Sequence, residues 1–412
     1  MLELALATEW AQFAMRWLHV ITAIAWIGSS FYFIALDLGL HRDRNLASGA
    51  DGEEWQVHGG GFYHLQKYLV APAHMPEGLV WFKWESYTTW LSGFGMLFLV
   101  YYLGADLYLI DPAILDIPVW AGIVISLLSL SVGWLAYDAI CKSRFGNDNT
   151  RLMLFLYVVL VVLAWAFTHV FSGRAALLHL GALTATIMSA NVFFVIIPNQ
   201  KIVVADLQAG RVPDAKYGKT AKQRSTHNNY LTLPVLFLML SNHYPLAFAT
   251  EYNWIIASLV FLMGVTIRHY FNTIHARKGN PRWTWAATVA LFLVIMALSV
   301  APLYLADEPD YPEESALTPA EQKFVQADGF DDVYNAVLGR CSMCHSSYPG
   351  WEGIAHAPKG VMLETEGQIA RRAKEIFLQA GISHAMPPAN VSYMEPEERA
   401  AIIRWYKAAI EG

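Results

Sequence analysis

The sequence predicts an all-α fold: a polytopic membrane helix bundle followed by a small all-α soluble domain. Of the 412 residues, 55% are hydrophobic and only 15% are charged, a composition too apolar for a soluble protein of this length. Residues 1–306 carry 19 basic and 17 acidic side chains (net +2), whereas the remainder carries 9 and 17 (net −8). These two observations exclude a wholly soluble or disordered chain and indicate two kinds of domain.

Eight segments of the first part are apolar and long enough to cross about 30 Å of hydrocarbon as helices. Glu3 and Glu9 replace the basic residues that begin a signal peptide, so we expect the first segment to remain in the mature protein. The predicted spans are 12–40, 88–109, 118–140, 152–172, 176–198, 231–249, 253–275 and 284–305.

The predicted domain boundaries follow from composition. Residues 1–306 form the membrane domain, and residues 307–320, which are acidic and contain prolines, form a linker. Residues 321–412 have the composition of a small soluble domain.

The basic residues of the loops predict the orientation. Loops after spans one, three, five and seven hold sixteen Lys and Arg residues, whereas those after spans two, four and six hold only Arg174. Because cytoplasmic loops keep the excess of basic residues, we expect both termini outside the cytoplasm. In a bacterial inner membrane this places the C-terminal domain in the periplasm.

The C-terminal domain contains the motif Cys341-Ser-Met-Cys344-His345, the C-x-x-C-H signature of covalent c-type haem attachment. Its two thiols reach the two vinyl groups of one porphyrin edge, and the adjacent imidazole takes one axial position on iron. A zinc half-site is the alternative, but no second Cys and His ligand pair follows.

The second axial ligand is expected to be a Met or His later in the domain. We choose Met386, because the prolines that follow it in His384-Ala-Met-Pro-Pro388 stiffen the loop that presents the sulfur. This segment resembles the Met-Pro loop of class I cytochromes c, and an amphipathic helix over 395–410 is expected to follow it. Met394 is the first alternative. The other candidates are Met362, His356 and His384.

Four histidines fall at similar depth near the outer ends of predicted membrane helices. Imidazoles on facing helices can ligate haem b, and ionisable groups inside a membrane often have a function. The alternative is that each ring only hydrogen-bonds a neighbouring helix. His19 is the strongest candidate, because Leu18-His19 through Trp26-Ile-Gly28 resembles the first helix of several small membrane families that include haem b proteins. The four candidates are His19, His169, His179 and His243.

The loop after the first predicted span is about 47 residues long and unusually aromatic. Its Trp and Phe faces could hold a flat heterocycle while the polar groups of Lys83, Glu85 and His74 form hydrogen bonds with the edge of that ring. An interfacial aromatic belt with a snorkelling lysine is the alternative.

Within span seven, Arg268 needs an anion or carbonyl partner, which a bound anionic substrate, Asp138 or Asp37 could supply.

The order of these parts resembles the membrane-bound bacterial urate oxidases, also called urate hydroxylases. The resemblance is carried by the eight predicted helices, His74-Met-Pro, the segment from Lys83-Trp-Glu85 to Gly93, and the fused C-x-x-C-H domain. It implies oxidation of urate with water to 5-hydroxyisourate, with electrons leaving through the cytochrome c domain and no hydrogen peroxide formed.

Urate is a flat monoanion near neutral pH, so a site needs aromatic faces, a cation and a base. Lys83, Arg268, Glu85 and His74 offer those groups. The expected partners are urate, the lipid bilayer and a respiratory acceptor such as a cytochrome c or a terminal oxidase, and no nucleic acid. Two other functions remain open: a quinol- or copper-linked electron-transfer cytochrome without a urate site, and an oxidase of another reduced metabolite.

Overall fold

The apolar segments of the sequence form long helices in the computed structural model. Of the chain, 71% is helical and 5% is strand, so the predominantly helical fold is confirmed. The structure describes residues 2–43, 45–70, 72, 76, 78–305, 317–352, 354 and 357–411.

The structure contains sixteen α-helices in its described residues. Three of them continue directly into π-helical turns, at Leu97–Tyr102, Asn191–Ile196 and Phe377–Ile382. The α-helices are α1 (Leu2–Gly39), α2 (Trp84–Met96), α3 (Ala105–Tyr108), α4 (Val119–Lys142), α5 (Asn149–Thr168), α6 (Gly173–Ala190), α7 (Ile197–Gln208), α8 (Ala215–Leu240), α9 (Pro245–Phe248), α10 (Asn253–His275), α11 (Trp283–Leu305), α12 (Pro319–Val325), α13 (Phe330–Arg340), α14 (Glu366–Arg371), α15 (Ala373–Ile376) and α16 (Pro396–Glu411).

Six of the helices, in the part of the chain that the structure describes, have the length and composition needed to cross a membrane: α1, α4, α5, α6 with its continuation α7, α10 and α11. They correspond to predicted spans one, three, four, five, seven and eight. The predicted second span, 88–109, is divided among α2, a π-helical turn and α3. The predicted sixth span, 231–249, runs past the end of α8 at Leu240. The total of eight crossings therefore stays a prediction.

The chain divides into two units. The larger comprises Gln12–Ser241 and Thr250–Ala301, and the smaller comprises Met1–Ala11, Asn242–Ala249 and Pro302–Gly412. Most of the predicted linker, residues 307–316, lies outside the described residues. The domain boundaries at 306 and 321 remain predictions.

Helix α6 lies at the centre of the larger unit and packs against α4, α5 and α8. It is buried along most of its length, whereas α1 presents Trp17, Ile24 and Phe33 at its surface, as a lipid-facing helix does. Polar caps fix where these helices begin: Ser172 accepts a hydrogen bond from the Ala175 amide at the start of α6, and Asp148 caps α5 in the same way.

The long loop after α1 contains an antiparallel β-hairpin, which the all-α prediction did not include. Strand β1 (Ala50–His58) pairs with β2 (Gly61–Tyr68) through a two-residue turn. Gly59 and Gly60 occupy that turn with positive φ values of 57° and 80°, the conformation that a tight hairpin turn needs at both central positions. The prediction was wrong here because the Gly-rich stretch was interpreted only as part of a loop.

In the smaller unit, residues 317–411 build a helical core around α13 and α16. Trp405 is fully buried among Phe330, Phe324 and neighbouring aliphatic side chains, and its indole N–H donates to the Phe324 carbonyl at 2.8 Å. Arg340 of α13 pairs with Glu398 of α16 at 3.0 Å. The predicted helix over 395–410 is present as α16, and Ile402, Trp405 and Tyr406 face this core.

Candidate functional site

The C-x-x-C-H motif lies at the C-terminal end of α13, where the chain leaves the helix in a tight turn. Cys341 is the C-cap residue directly after α13, and its carbonyl accepts hydrogen bonds from the Cys344 amide at 3.1 Å and the His345 amide at 2.9 Å. Both cysteines are free thiols. The turn therefore brings the two sulfurs and the imidazole into one short stretch of backbone, as attachment of one porphyrin edge requires.

The His345 ring is oriented by the Val361 carbonyl, to which Nδ1 donates a hydrogen bond of 2.8 Å. A metal-ligating histidine commonly donates its other N–H in this way, which fixes the tautomer and presents Nε2 to the metal. Burial lowers the pKa of His345 despite that hydrogen bond, so the ring is neutral near pH 7, as a ligand must be. The donor set therefore fits a haem c.

Burial also raises the pKa of the Cys341 thiol to about 12, with further contributions from Cys344 and Glu398. The side chain is consequently neutral at physiological pH.

The two methionine candidates for the second axial ligand differ in exposure. The side chain of Met386 is 36% exposed, whereas Met394 is 2% exposed and belongs to the hydrophobic core. The Met386 loop is held by its backbone, since the Met386 amide donates to the Gln379 carbonyl at 2.9 Å and Arg399 Nη1 donates to the Met386 carbonyl at 2.9 Å. The loop is thus held in place while the Met386 side chain stays partly exposed. His356 lies outside the described residues.

We expect Met386→Ala to abolish the sulfur-to-iron charge-transfer band at the red end of the oxidised spectrum, while the domain stays folded. Met394→Ala should keep the band but destabilise the domain by about 2–5 kcal/mol, because it leaves a cavity in the core. Absorption spectra and thermal melts of the two variants check this. Loss of the band only in Met394→Ala would show that Met394 is the ligand.

Among the four candidate histidines, His19 is hydrogen-bonded to the neighbouring helix α2. Its Nδ1 donates to the Thr89 carbonyl of α2 at 3.0 Å, and the ring packs on Gly93, where a Cβ would come within 2.9 Å of His19 Cε1. A Gly at position 93 is therefore needed for α2 to approach the ring. The contact orients His19 through one nitrogen, as in oriented metal ligands.

The other three histidines differ from His19. Both nitrogens of the buried His179 are engaged: Nδ1 donates to the Ala175 carbonyl at 2.8 Å, and Ser126 donates to Nε2 at 2.7 Å. His169 is exposed at the end of α5, and its Nδ1 donates to the Trp165 carbonyl at 2.8 Å. His243 lies in a 3₁₀ turn of the smaller unit. His169 therefore resembles His19 more closely than His179 does, because Nδ1 of both His169 and His19 donates to a backbone carbonyl whereas both nitrogens of His179 are engaged.

The predicted aromatic pocket falls at the start of α2. Lys83 is the residue before the helix, and its ammonium lies 5.9 Å from the centre of the Trp84 ring. Glu85 is in the first turn and is half-buried. His74 lies outside the described residues. Trp84 and Phe82 are largely exposed, so the structure does not enclose a heterocycle between them.

Arg268 is buried, as predicted, but neither proposed carboxylate is its partner. Its Nη2 donates to Asn272 at 3.0 Å, and its guanidinium carbon lies 4.1 Å from the centre of the Phe31 ring. Asp138 instead pairs with Arg224 and Lys142, and Asp37 pairs with Lys67 and Lys222. Of the three possible partners of Arg268, the two carboxylates are therefore excluded, because other cations pair with both of them.

Sequence reasoning missed a buried polar cluster between α4, α8 and the π-helical turn after α6, which we call the α8 cluster (Tyr137, Asp138, Asn191, Arg224, His227 and Asn228). Arg224 Nη2 donates to Asp138 at 2.7 Å, and the guanidinium carbon lies 4.9 Å from the centre of the Tyr137 ring. Tyr137 Oη is 2.7 Å from His227 Nδ1, and Asn191 Nδ2 is 3.0 Å from both Tyr137 Oη and Asn228 Oδ1.

One signal could have revealed the α8 cluster. Arg224, His227 and Asn228 stand at positions i, i+3 and i+4, the spacing that places side chains on one helical face. Arg224 was instead assigned to a cytoplasmic loop, because the predicted span began only at residue 231. Helix α8 in fact begins at Ala215, capped by Asp214, which accepts a hydrogen bond from the Lys216 amide.

Comparison with known families gives one match, to the urate oxidase N-terminal family, over residues 5–299. That range covers well over half of the chain and includes α1 to α10, the hairpin and the α8 cluster. No curated protein and no solved structure matches the chain. The match alone suffices to assign the family: the chain belongs to the urate oxidase N-terminal family and is a urate-oxidase-related protein.

Proposed function

We propose that this protein is a membrane-bound urate oxidase that converts urate and water to 5-hydroxyisourate and passes the electrons to a respiratory acceptor. The observation that carries the proposal is the combination, in one chain, of the family match over residues 5–299 with the C-x-x-C-H motif at Cys341, Cys344 and His345. The family match supports urate as the substrate, and the C-x-x-C-H motif supports a haem c that accepts the electrons.

The reaction balances without oxygen. Urate gains one oxygen atom from water and releases two protons and two electrons. A haem c attached at Cys341 and Cys344, with His345 and Met386 as axial ligands, would supply one-electron acceptance. The electron acceptor beyond this domain is a cytochrome c or a terminal oxidase.

The chain offers polar groups for the substrate in its membrane domain. The site residues proposed from the sequence are Lys83, Glu85, His74 and Arg268. Of these, Arg268 is buried among neutral side chains, and no carboxylate pairs with it in the described part of the chain. The side chains of Lys83 and Glu85 are only half-buried, whereas that of Arg268 is buried.

Purified protein in detergent should therefore consume urate and reduce added ferricytochrome c without releasing hydrogen peroxide. Absorbance of urate, absorbance of the cytochrome and a peroxidase-coupled assay measure the three quantities together. Formation of one hydrogen peroxide per urate, with the cytochrome left oxidised, would contradict the proposed acceptor. Reduction of the cytochrome by another metabolite but not by urate would favour the alternative functions.

We further propose that the chain crosses the membrane eight times with both termini outside the cytoplasm. The six long apolar helices support membrane insertion, and the excess of Lys and Arg in alternate loops supports the orientation. The C-terminal domain is then periplasmic, where haem c is assembled.

A reporter enzyme that is active only in the periplasm should work when fused after Gly412 and fail when fused within residues 209–214, between α7 and α8. The expected difference is all or none, since the reporter folds on one side only. Fusions to a reporter active only in the cytoplasm provide the reciprocal control. The reverse pattern would overturn both the orientation and the location of the haem.

We also propose a non-covalent haem b in the membrane domain, ligated by His19. The hydrogen bond from Nδ1 to the Thr89 carbonyl supports His19, and the similar bond from His169 to the Trp165 carbonyl favours His169 over His179 as the second ligand. His243 remains a candidate.

A further inference from the structure

The α8 cluster contains buried polar atoms that no described residue satisfies. Ten buried side-chain nitrogen or oxygen atoms of the described residues lack a hydrogen-bond partner, and four of them belong to three side chains of this cluster. They are Arg224 Nε, Arg224 Nη1, His227 Nε2 and Asn191 Oδ1. Such atoms are rare in native interiors, because each costs about 1–3 kcal/mol when it is left unpaired.

The side chains that carry these atoms are almost completely buried. Asn191 is 0%, Arg224 1% and His227 2% exposed. Elsewhere in the larger unit a buried histidine is fully satisfied, since His179 uses both nitrogens within the bundle. The other six unpaired atoms belong to six different side chains, so the α8 cluster holds the largest group of them in the part of the chain that the structure describes.

The hydrogen bonds that are present orient the unpaired atoms. Asn191 Nδ2 donates to Tyr137 Oη, so the Tyr137 hydroxyl is free to donate to His227 Nδ1 at 2.7 Å. His227 then carries its proton on Nε2. The cluster offers three unpaired donors, two on Arg224 and one on His227, and one unpaired acceptor, Asn191 Oδ1.

The charge of the cluster favours an anion. Arg224 and Lys142 both contact the Asp138 carboxylate, so two cations share one anion. Lys142 is mostly exposed, whereas Arg224 is buried and cannot be neutralised by losing its proton. A buried guanidinium with two free N–H groups is well suited to bidentate recognition of an anionic or carbonyl edge.

We propose that the α8 cluster is the binding site for the anionic heterocyclic substrate. Arg224 and His227 donate to the carbonyl oxygens and the negative edge of the urate monoanion, and Asn191 accepts from one of its ring N–H groups. Tyr137 and Asp138 act as positioning residues for His227 and Arg224. This inference rests on the proposed function, because it takes urate as the substrate.

Two features of the fold support a substrate site at this position. Asn191 is the first residue of the π-helical turn that follows α6, and π-helical turns inside helices often mark functional sites. The cluster also draws on three separate elements, α4, α8 and the turn after α6, all within residues 5–299 that match the family. The site thus lies in the part of the chain from which the urate assignment comes.

Equilibrium dialysis of labelled urate against the detergent-solubilised full-length protein tests the proposal. The double variant Arg224→Gln with Asp138→Asn removes the guanidinium without leaving its carboxylate partner unpaired. We expect its Kd for urate to rise about 10- to 100-fold, the loss expected for hydrogen bonds to a charged group. Arg224→Lys keeps the charge but loses the planar fork, so its Kd should rise by a smaller factor.

Thr232→Val is the matched control. Thr232 is buried on the same helix, and its hydroxyl donates only to the Asn228 carbonyl one turn back, so the Kd should stay within about twofold. Folding of every variant is checked by its thermal melt. If the double variant does not fold, the Kd of Arg224→Lys for urate tests the proposal instead, because this variant keeps the contact with Asp138.

The outcomes separate this inference from the proposed function. Wild-type protein that neither binds nor oxidises urate would refute the proposed function, whatever the variants do. Wild-type protein that oxidises urate, together with a folded Arg224 variant of unchanged Kd, would refute only the assignment of the site. Equal loss of binding in Thr232→Val would show that the effect comes from a disturbed helix, and would also overturn the assignment.

Discussion

Replacement of Cys341 and Cys344 by Ala is expected to abolish covalent haem completely. In the proposed haem c the two sulfurs are the attachment points, and the turn at the end of α13 places these residues next to His345. Haem staining of a denaturing gel should show a band near 46 kDa for the wild-type chain and none for the double variant. The membrane domain should still insert, because the changes lie outside the apolar helices.

Ser342→Ala provides the matched control for this experiment. Ser342 lies between the two cysteines, and its hydroxyl donates to the Leu338 carbonyl of α13. The variant changes the same turn without removing a sulfur, so the stained band should persist. Retention of covalent haem in the double cysteine variant would refute the assignment of the motif.

The second large effect is expected for His19→Ala, which should remove all extractable haem. If urate is oxidised near the inner ends of the helices, most of about 30 Å of bilayer separates it from a periplasmic haem c. Oxidation also releases two electrons, whereas one haem c accepts one. A second carrier ligated by His19 would shorten the path and hold an electron, so the variant should also lose urate-dependent reduction of haem c.

Extraction with acid acetone separates the two haems, since only the non-covalent one is removed. His19→Ala protein should yield no extractable haem, yet its haem c should still be reduced by dithionite. His269→Ala is the control, because His269 is an exposed residue of α10. If wild-type protein contains only covalent haem, the relay is wrong, and a substrate site on the outer side beside the cytochrome becomes the better account.

The sequence predicted the long helices well because twenty apolar residues in a row have few alternatives to a membrane helix. The C-x-x-C-H motif could be identified from the sequence because it is local to five residues, and its assignment to haem c stays a prediction. The hairpin was missed because its pattern does not alternate strictly: Trp55 and Val57 are exposed, and Gly59 and Gly60 suited any loop. Pairing of β1 with β2 depends on neighbouring strands rather than on a local preference.

The α8 cluster was not predictable from any single segment. Tyr137, Asn191 and Arg224 are far apart in the sequence and meet only because α4, α6 and α8 pack together. The search for a partner of Arg268 failed for a related reason. The positions of these residues in the sequence do not show that Arg224 pairs with Asp138, or that Lys67 and Lys222 pair with Asp37.

An anaerobic titration of the purified full-length protein with urate tests the central claim most directly. Absorption in the α band follows reduction of the haem c, and chromatography follows urate. We expect the haem to become reduced in the absence of oxygen and other acceptors, in proportion to the urate consumed, and we expect no such signal from the double cysteine variant. A haem c that stays oxidised while urate is consumed only when oxygen is admitted, with hydrogen peroxide formed, would contradict the account.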